Sequence, residues 1–536
     1  MTRQWLLRFE AADFDNTVFD MPVVPAVRGA SLAYLYSPKT VDGALKRCDP
    51  NARAIYKGAS QGAWRFEAEA AQAAKAERSV VGALSEKDGG AGPHRSLGRV
   101  TRHLAYVTAL VEGSDAAALA KAETICNLRK LQGEGFALPE FAAGAKGYDE
   151  TGDRARPAVA SIGREQVSAA HCDRRKFGRK QRQKFYEDFT GLRPDRDFTD
   201  DFEALVSDPP RPGGKALPPS LRNKVAVFFA DGNRLNRHRR KAGGLDGLNR
   251  FSESLKRDQK ALLVSIVAWL QNGADERNAE AYAVGADGQL RFETLMWGGD
   301  ELLFVMPSWL GLEFAENFFE WTKEWRTPWG DPITFSAGMA ICDRKTPIRQ
   351  SREVAQDLAE LGKDMQPAGN QGGDMQGGTR SLLQIEVFES LSLPEGRLDD
   401  YRERLYRPPE GGVGLLHRQL AIPGEALADL TDRLAQLKAG GGVPRSQLYR
   451  MLQIAVEGAA GRLRGKEADE TLRDAWAVYR RRAGEGAAPV LAALDVLNHR
   501  QDLRLDETPP PAFALSLGAI AMLWDYVRPL GAERAP

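Results

Sequence analysis

Six consecutive apolar residues, Val225 to Ala230 (VAVFFA), end abruptly in Asp231-Gly232-Asn233. A short unbroken apolar run bounded by turn residues is the pattern of a strand buried on both faces. Such a strand needs layers on each side, so the chain around it must supply helices and neighbouring strands. It does. A helical period fills Leu245–Gln271, strand patterns follow at Ala279–Val284 and Leu290–Trp297, and the turn GGDE (Gly298–Glu301) leads into Leu302–Pro307. A helix over Leu310–Trp325, a strand over Ile333–Ile341 and a helix over Ser351–Met365 complete a β-α-β-β-α-β order, the ferredoxin-like plan. A further strand pattern follows at Leu382–Glu389.

The same order is legible once before. Strands over Gln4–Phe9, Ala52–Tyr56, Gly62–Glu67 and Leu104–Glu112 alternate with helices over Arg28–Ser37, Ala68–Leu84 and Asp115–Leu131. Beyond residue 396 helical periods alternate with Gly/Pro breaks, as in a helical bundle. The expected architecture is therefore α+β: two ferredoxin-like palm domains (1–132 and 221–392), a connector (133–220) and a C-terminal α-helical bundle (393–536).

Composition narrows the function classes. With 74 Lys plus Arg against 73 Asp plus Glu, the 536-residue chain is not a uniformly basic nucleic-acid binder. Basic surface must be local, and the connector holds one such stretch, CDRRKFGRKQRQKFY. There Arg174, Arg175, Lys176, Arg179 and Lys180 are interleaved with aromatics and are candidate RNA contacts, or else one solvated helix face. A second basic run, Arg234 to Lys241, follows Asp231 and suits triphosphate or RNA, or again a solvated face. The four cysteines are scattered, which suggests neither a disulfide framework nor a four-cysteine zinc site. The start lacks a signal-peptide pattern and no apolar stretch is long enough to span a bilayer, so cytoplasmic residence is expected.

The chemistry concentrates at one place. If the strand ending in Asp231 neighbours the hairpin carrying Asp300 and Glu301, three carboxylates converge and suit two Mg²⁺ or Mn²⁺ ions shared with substrate phosphates. Two metals can activate a ribose 3′-hydroxyl and stabilise a leaving pyrophosphate, which fits nucleotidyl transfer from an NTP. Gly298, Gly299 and Gly232 remove side chains where backbone would approach a nucleotide, with Asn233 beside them. The bland alternative is an ordinary hairpin turn, since Gly and Asp are common turn residues.

The runs VAVFFADGN, ETLMWGGDELLFVMP and ITFSAGMAICDRKTPI, with a helix ending near Gly362-Lys363, resemble the palm of the nucleotide cyclase and polymerase superfamily. The whole chain is most similar to the large subunit of type III CRISPR effector complexes, the Cas-ten family. That resemblance implies synthesis of cyclic oligoadenylates from ATP, in antiviral defence, by a ribonucleoprotein holding guide RNA, target RNA and other CRISPR-type subunits. It assigns Asp231, Asp300 and Glu301 to the metals, Ser336 to the nucleotide's surroundings and Lys363 to the triphosphate. The first palm, which includes FDMPVVPAVRGASLAYLYS, carries no acidic pair. Three departures stand out. Glu301 replaces the usual Asp, His171-Cys172 alone stands where a zinc site often sits, and no histidine precedes an aspartate as in the family's HD nuclease. A diguanylate cyclase acting on GTP also carries GGDE, but usually with D-x-D-x-F-K at the first strand, where this chain reads DGNRLN. A non-enzymatic scaffold for guide RNA and partner subunits is the other alternative.

Overall fold

The structure is a computed structural model that describes residues 1–85, 97–133, 147–152, 156–207, 216–275, 283–285, 287–366, 379–389, 397–406, 420–439 and 520–527, with a few isolated positions beyond 416. The first unit runs β1 (Arg3–Ala11), α1 (Phe14–Val18), α2 (Val24–Cys48), β2 (Arg53–Lys57), β3 (Gln61–Ala68), α3 (Ala70–Ser85), α4 (Leu97–Thr101), β4 (Tyr106–Glu112) and α5 (Ala116–Leu131). Its strands form an antiparallel sheet in the order β2-β3-β1-β4. Helix α2 passes through Pro38, where the sequence pattern predicts an end. A proline in a helix interior removes one backbone hydrogen bond, and here Val41, Ala44 and Leu45 beyond it are fully buried beside Leu7, Phe9 and Trp64 of the sheet. That burial outweighs one lost bond.

The middle segment holds a hairpin, β5 (Ala158–Ile162) with β6 (Glu165–Ser168), then the long helix α6 (Ala169–Thr190) and the short α7 (Phe202–Val206). It is more than a linker. Phe177, Phe185 and Tyr186 of α6 lie in the same apolar core as Val27, Leu32 and Tyr34 of α2 and Phe228 and Phe304 of the second sheet. Two glycines allow the crossing of α2 and α6. A Cβ on Gly29 would lie 2.0 Å from the Arg174 carbonyl oxygen, and one on Gly178 would lie 2.1 Å from that of Pro25.

The second unit comprises β7 (Lys224–Gly232), α8 (Leu235–Lys241), α9 (Leu245–Asp275), β8 (Glu293–Trp297), β9 (Glu301–Pro307), α10 (Ser308–Thr322), β10 (Phe335–Asp343), α11 (Ile348–Asp364) and β11 (Leu382–Val387). Helices α12 (Leu398–Tyr406) and α13 (Leu427–Ala439) follow, flanking the two-residue strand β12 (Ile422–Pro423). The sheet order is β12-β11-β10-β7-β9-β8. All nine residues of β7 are buried, as the apolar run requires of a central strand. Helix α11 lies very close to β10, because a Cβ on Gly338 would collide at 1.9 Å with the Ala355 carbonyl oxygen.

Polar links also cross between the units. Arg28 of α2 and Glu293 of β8 form a buried ion pair, with Arg28 Nε donating to Glu293 Oε1 at 2.6 Å. Tyr186 of α6 and Thr294 of β8 share a hydroxyl hydrogen bond of 2.9 Å. Most of the strand pattern at 279–284 and of the helical periods beyond residue 440 lies outside the described residues. Among the described residues, no helix is long and apolar enough to cross a membrane.

Candidate active site

Sheet register brings the acids together. Asp231 is the direct cross-strand partner of Glu301 in β9 on one side and of Ser336 in β10 on the other. Directly opposed residues share a sheet face with Cβ atoms about 4.5–5.5 Å apart, so Asp231 and Glu301 project together. Asp300 precedes Glu301 at the hairpin tip, and its carbonyl accepts the Gly232 N–H at 3.0 Å.

The electrostatics are those of too much negative charge in too little water. Burial, then the neighbouring Asp300, Asp231 and Asp15, push the Glu301 carboxyl up to about 7, with Arg352 opposing. Burial raises Asp231 to about 6; Lys363 opposes and Asp300 adds to the rise. Asp300 is raised by burial too, against its own N–H, Arg239 and Lys363. Lys363, near the end of α11, donates hydrogen bonds to Asp231 and, at 2.9 Å, to Glu360. Burial alone would lower its ammonium, but those bonds hold it above its ordinary value.

In kind these groups fit a hard divalent cation, because three clustered carboxyls whose ionisation is opposed by burial and repulsion are what such an ion relieves. In spacing the match is incomplete. Among the described residues no group of three His, Cys, Asp or Glu side chains stands close enough to hold a metal as placed.

Neither a protein-family model nor a curated protein matches the sequence. Solved structures do. The Csm1–Csm4 cassette in complex with cA4 aligns over 97% of this chain and 70% of the other, with a TM-score of 0.56 at 12% identity. The cassette in complex with one ATP gives 0.55 at 14% identity with the same coverage. Csm1 in T. onnurineus gives 0.52 at 13% over 97% and 70% of the two chains. The chain has the Csm1 fold.

The remaining candidates separate into those packed into the protein and those left open; Ser336, though packed, lies across from Asp231 on the same sheet face. Ser336 is fully buried and donates its hydroxyl to Asn233 Oδ1 at 2.8 Å. Asn233 in turn donates to Thr334 Oγ1 at 2.9 Å and to the Arg380 carbonyl at 3.2 Å. These two residues, taken from sequence as nucleotide contacts, join the starts of β10 and β11 to the end of β7. Gly232 is occupied as well: a Cβ there would overlap Leu235 at 2.2 Å, so its small size serves packing. At the tip, Gly298 is confined by the Glu301 carbonyl oxygen, 2.9 Å from where its Cβ would stand, while Gly299 faces open space.

The basic stretch divides in the same way. Arg174 is fully buried, with Nη1 on Asp20 Oδ1 at 2.6 Å and Nη2 on the His103 carbonyl at 3.0 Å. That ion pair removes Arg174 from the candidate RNA contacts. Lys176, Arg179 and Lys180 are exposed and Arg175 is half-buried, with Arg179 3.9 Å from Asp200. At His171-Cys172, where the sequence leads to no expectation of zinc, His171 Nδ1 meets Thr151 Oγ1 at 2.8 Å, and Asp149 accepts the Thr151 hydroxyl at 2.6 Å and the Ser168 N–H at 2.8 Å.

Two neighbours of the site escape sequence reading. Asp15 comes from α1 of the first unit, paired at 2.6 Å with Arg352 of α11. Gln259 comes from α9 and donates to the Gly298 and Gly299 carbonyls, the latter at 3.2 Å. Neither lies in a motif, and a glutamine on an amphipathic helix looks like any other polar position.

Proposed function

We propose that this chain is the large subunit of a type III CRISPR effector complex and makes cyclic oligoadenylates from ATP as an antiviral signal. The observation that carries this reading is the pairing of Asp231 with Glu301, beside Asp300, at the end of the central strand of a chain with the Csm1 fold. The Csm1–Csm4 structures include complexes with one ATP, pppApApA and cA4, which supports a nucleotide as ligand of this fold.

In this reading residues 1–132 are a first palm without the acids, 133–220 the connector, 221–392 the catalytic palm and 393–536 the helical domain. Asp231, Asp300 and Glu301 hold Mg²⁺ or Mn²⁺, which neutralises phosphate charge and favours ionisation of the attacking 3′-hydroxyl. Lys363, already turned toward Asp231, neutralises the triphosphate. Gly299 gives the tip room for substrate. Exposed Lys176, Arg179 and Lys180 contact RNA, and the complex resides in the cytoplasm with its companion subunits.

Incubation of the protein, alone and assembled with its complex, with labelled ATP and Mn²⁺, with and without target RNA, tests the reading. Oligoadenylates that disappear in Asp300→Ala support it, and product from GTP alone assigns a diguanylate cyclase instead. A scaffold is the second reading, favoured by the Lys363 bond to Asp231 and by carboxyls not gathered at metal spacing. RNA binding without nucleotide product under any condition would establish it.

A further inference from the structure

The GGDE tip is held from behind. Gln259, almost entirely buried on α9, donates its side-chain amide to the carbonyls of Gly298 and Gly299. The Asp300 carbonyl is taken by Gly232 N–H at 3.0 Å, and the Glu301 carbonyl by Gly298 N–H at 2.8 Å. Four successive carbonyls of the turn are thereby tied to protein donors.

A trans peptide is planar, with its C=O and N–H pointing in opposite directions. Pulling the Gly298 and Gly299 carbonyls toward α9 therefore turns the N–H groups of Gly299 and Asp300 away from it. The Gly299 N–H belongs to a residue that, apart from its two chain neighbours, has no heavy atom within 4 Å of where a Cβ would stand. Outward backbone N–H groups in a turn form an anion-binding concavity.

We propose that Gln259 is a positioning residue that orients the tip peptides so that the Gly299 N–H donates to a substrate phosphate oxygen. The idea rests on the nucleotidyltransferase reading and adds a residue that no acidic or glycine motif contains. Without the Gln259 donor, two carbonyls at the tip would lose their partner, and the peptide planes would be free to rotate and present oxygens to the phosphates. Carbonyl oxygens repel what N–H groups attract, so the loss falls on phosphate binding rather than on the fold.

The test uses Gln259→Met, which preserves length without a donor, and Gln259→Glu, which preserves shape. Binding of α,β-methylene-ATP with Mg²⁺ and binding of Mn²⁺ alone are measured by calorimetry, with melting temperatures alongside. Expected is a nucleotide Kd weakened about tenfold in Gln259→Met and further in Gln259→Glu, while Mn²⁺ affinity stays within about twofold of wild type. Unchanged nucleotide affinity in either folded variant overturns the proposal. So does an equal loss of Mn²⁺ binding, which would place Gln259 behind the carboxylates instead. Were Gln259→Met not to fold, Gln259→Glu alone decides. Failure of the wild-type protein to bind the analogue overturns the functional reading, and the Gln259 role falls with it, a result distinct from a difference between variants.

Discussion

Replacing Glu301 by Gln should stabilise the metal-free protein and, on the proposed nucleotidyltransferase reading, abolish product formation. The folded chain holds the Glu301 carboxyl at about 7, against an ordinary value of 4.5, because burial and the acids around it oppose its charge. The folded state therefore binds more protons than the unfolded state between those two pH values. Stability is fully present below about 4.5 and falls as pH rises through about 7. A tenfold change in an acid's ionisation constant is worth about 1.4 kcal/mol, so the whole displacement sets a ceiling of ~3 kcal/mol, and the group's partial exposure brings the expectation to about 1–2 kcal/mol. Glutamine cannot ionise and escapes the penalty. Wild type and Glu301→Gln, melted in EDTA, should match at pH 4.5, and the variant should melt about 1–2 °C higher at pH 8. Carboxylates displaced in the opposite direction, such as Glu10 and Asp149, titrate alike in both proteins and cancel in the difference. Added Mn²⁺ should raise the wild-type melting temperature at pH 8 more than that of the variant. A variant less stable than wild type at pH 8, or a difference independent of pH, would refute the argument.

Two further perturbations probe the frame around the site. Arg28→Met strands Glu293 as a buried, unpaired carboxylate, and should cost about 3–5 kcal/mol in urea unfolding, much of it recovered when Glu293→Leu is added. Equal stability of the single and double variants would show that the pair is not desolvated as described. Gly178→Ala places a methyl group against the Pro25 carbonyl, forcing α2 and α6 apart; it should cost about 1–3 kcal/mol, whereas Lys180→Ala on the exposed face of the same helix should stay within about 0.5 kcal/mol.

How much of the molecule is legible in the sequence follows from how local each signal is. The strand ending in Asp231 is visible because a central strand buries both faces, and nothing polar interrupts VAVFFA. The meeting of Asp231 with Glu301 needs only the order of elements, since a hairpin adjoining that strand has few registers. The hydrogen bond between Ser336 and Asn233 is not legible in the sequence, because the same polar residue types serve a ligand or a buried network equally well, and only distance tells them apart. Arg174 is hidden in the same way. Its charge is matched by Asp20, more than a hundred residues earlier and outside any local pattern. The passage of α2 through Pro38 is hidden because local backbone preference ends the helix there, while tertiary burial continues it.

The site combines an unfavourable arrangement of charge with a rigid backbone, and the two observations strengthen one another. Asp231, Asp300 and Glu301 are all displaced toward the protonated form. A hairpin free to relax would swing the acids apart and release them to solvent, where each would ionise normally. It does not relax because sheet register fixes Asp231 against Glu301, Gly232 N–H holds Asp300, and Gln259 holds the two glycines. An ordinary surface turn needs none of this restraint. Carboxyls held together at an energetic disadvantage, with a single lysine bonded to one of them, are what a site awaiting cationic partners requires. On the proposed reading it is this restraint, with the Gln259 bonds to the two glycine carbonyls, more than the letters GGDE, that argues for a site over the common turn the same residues could make elsewhere.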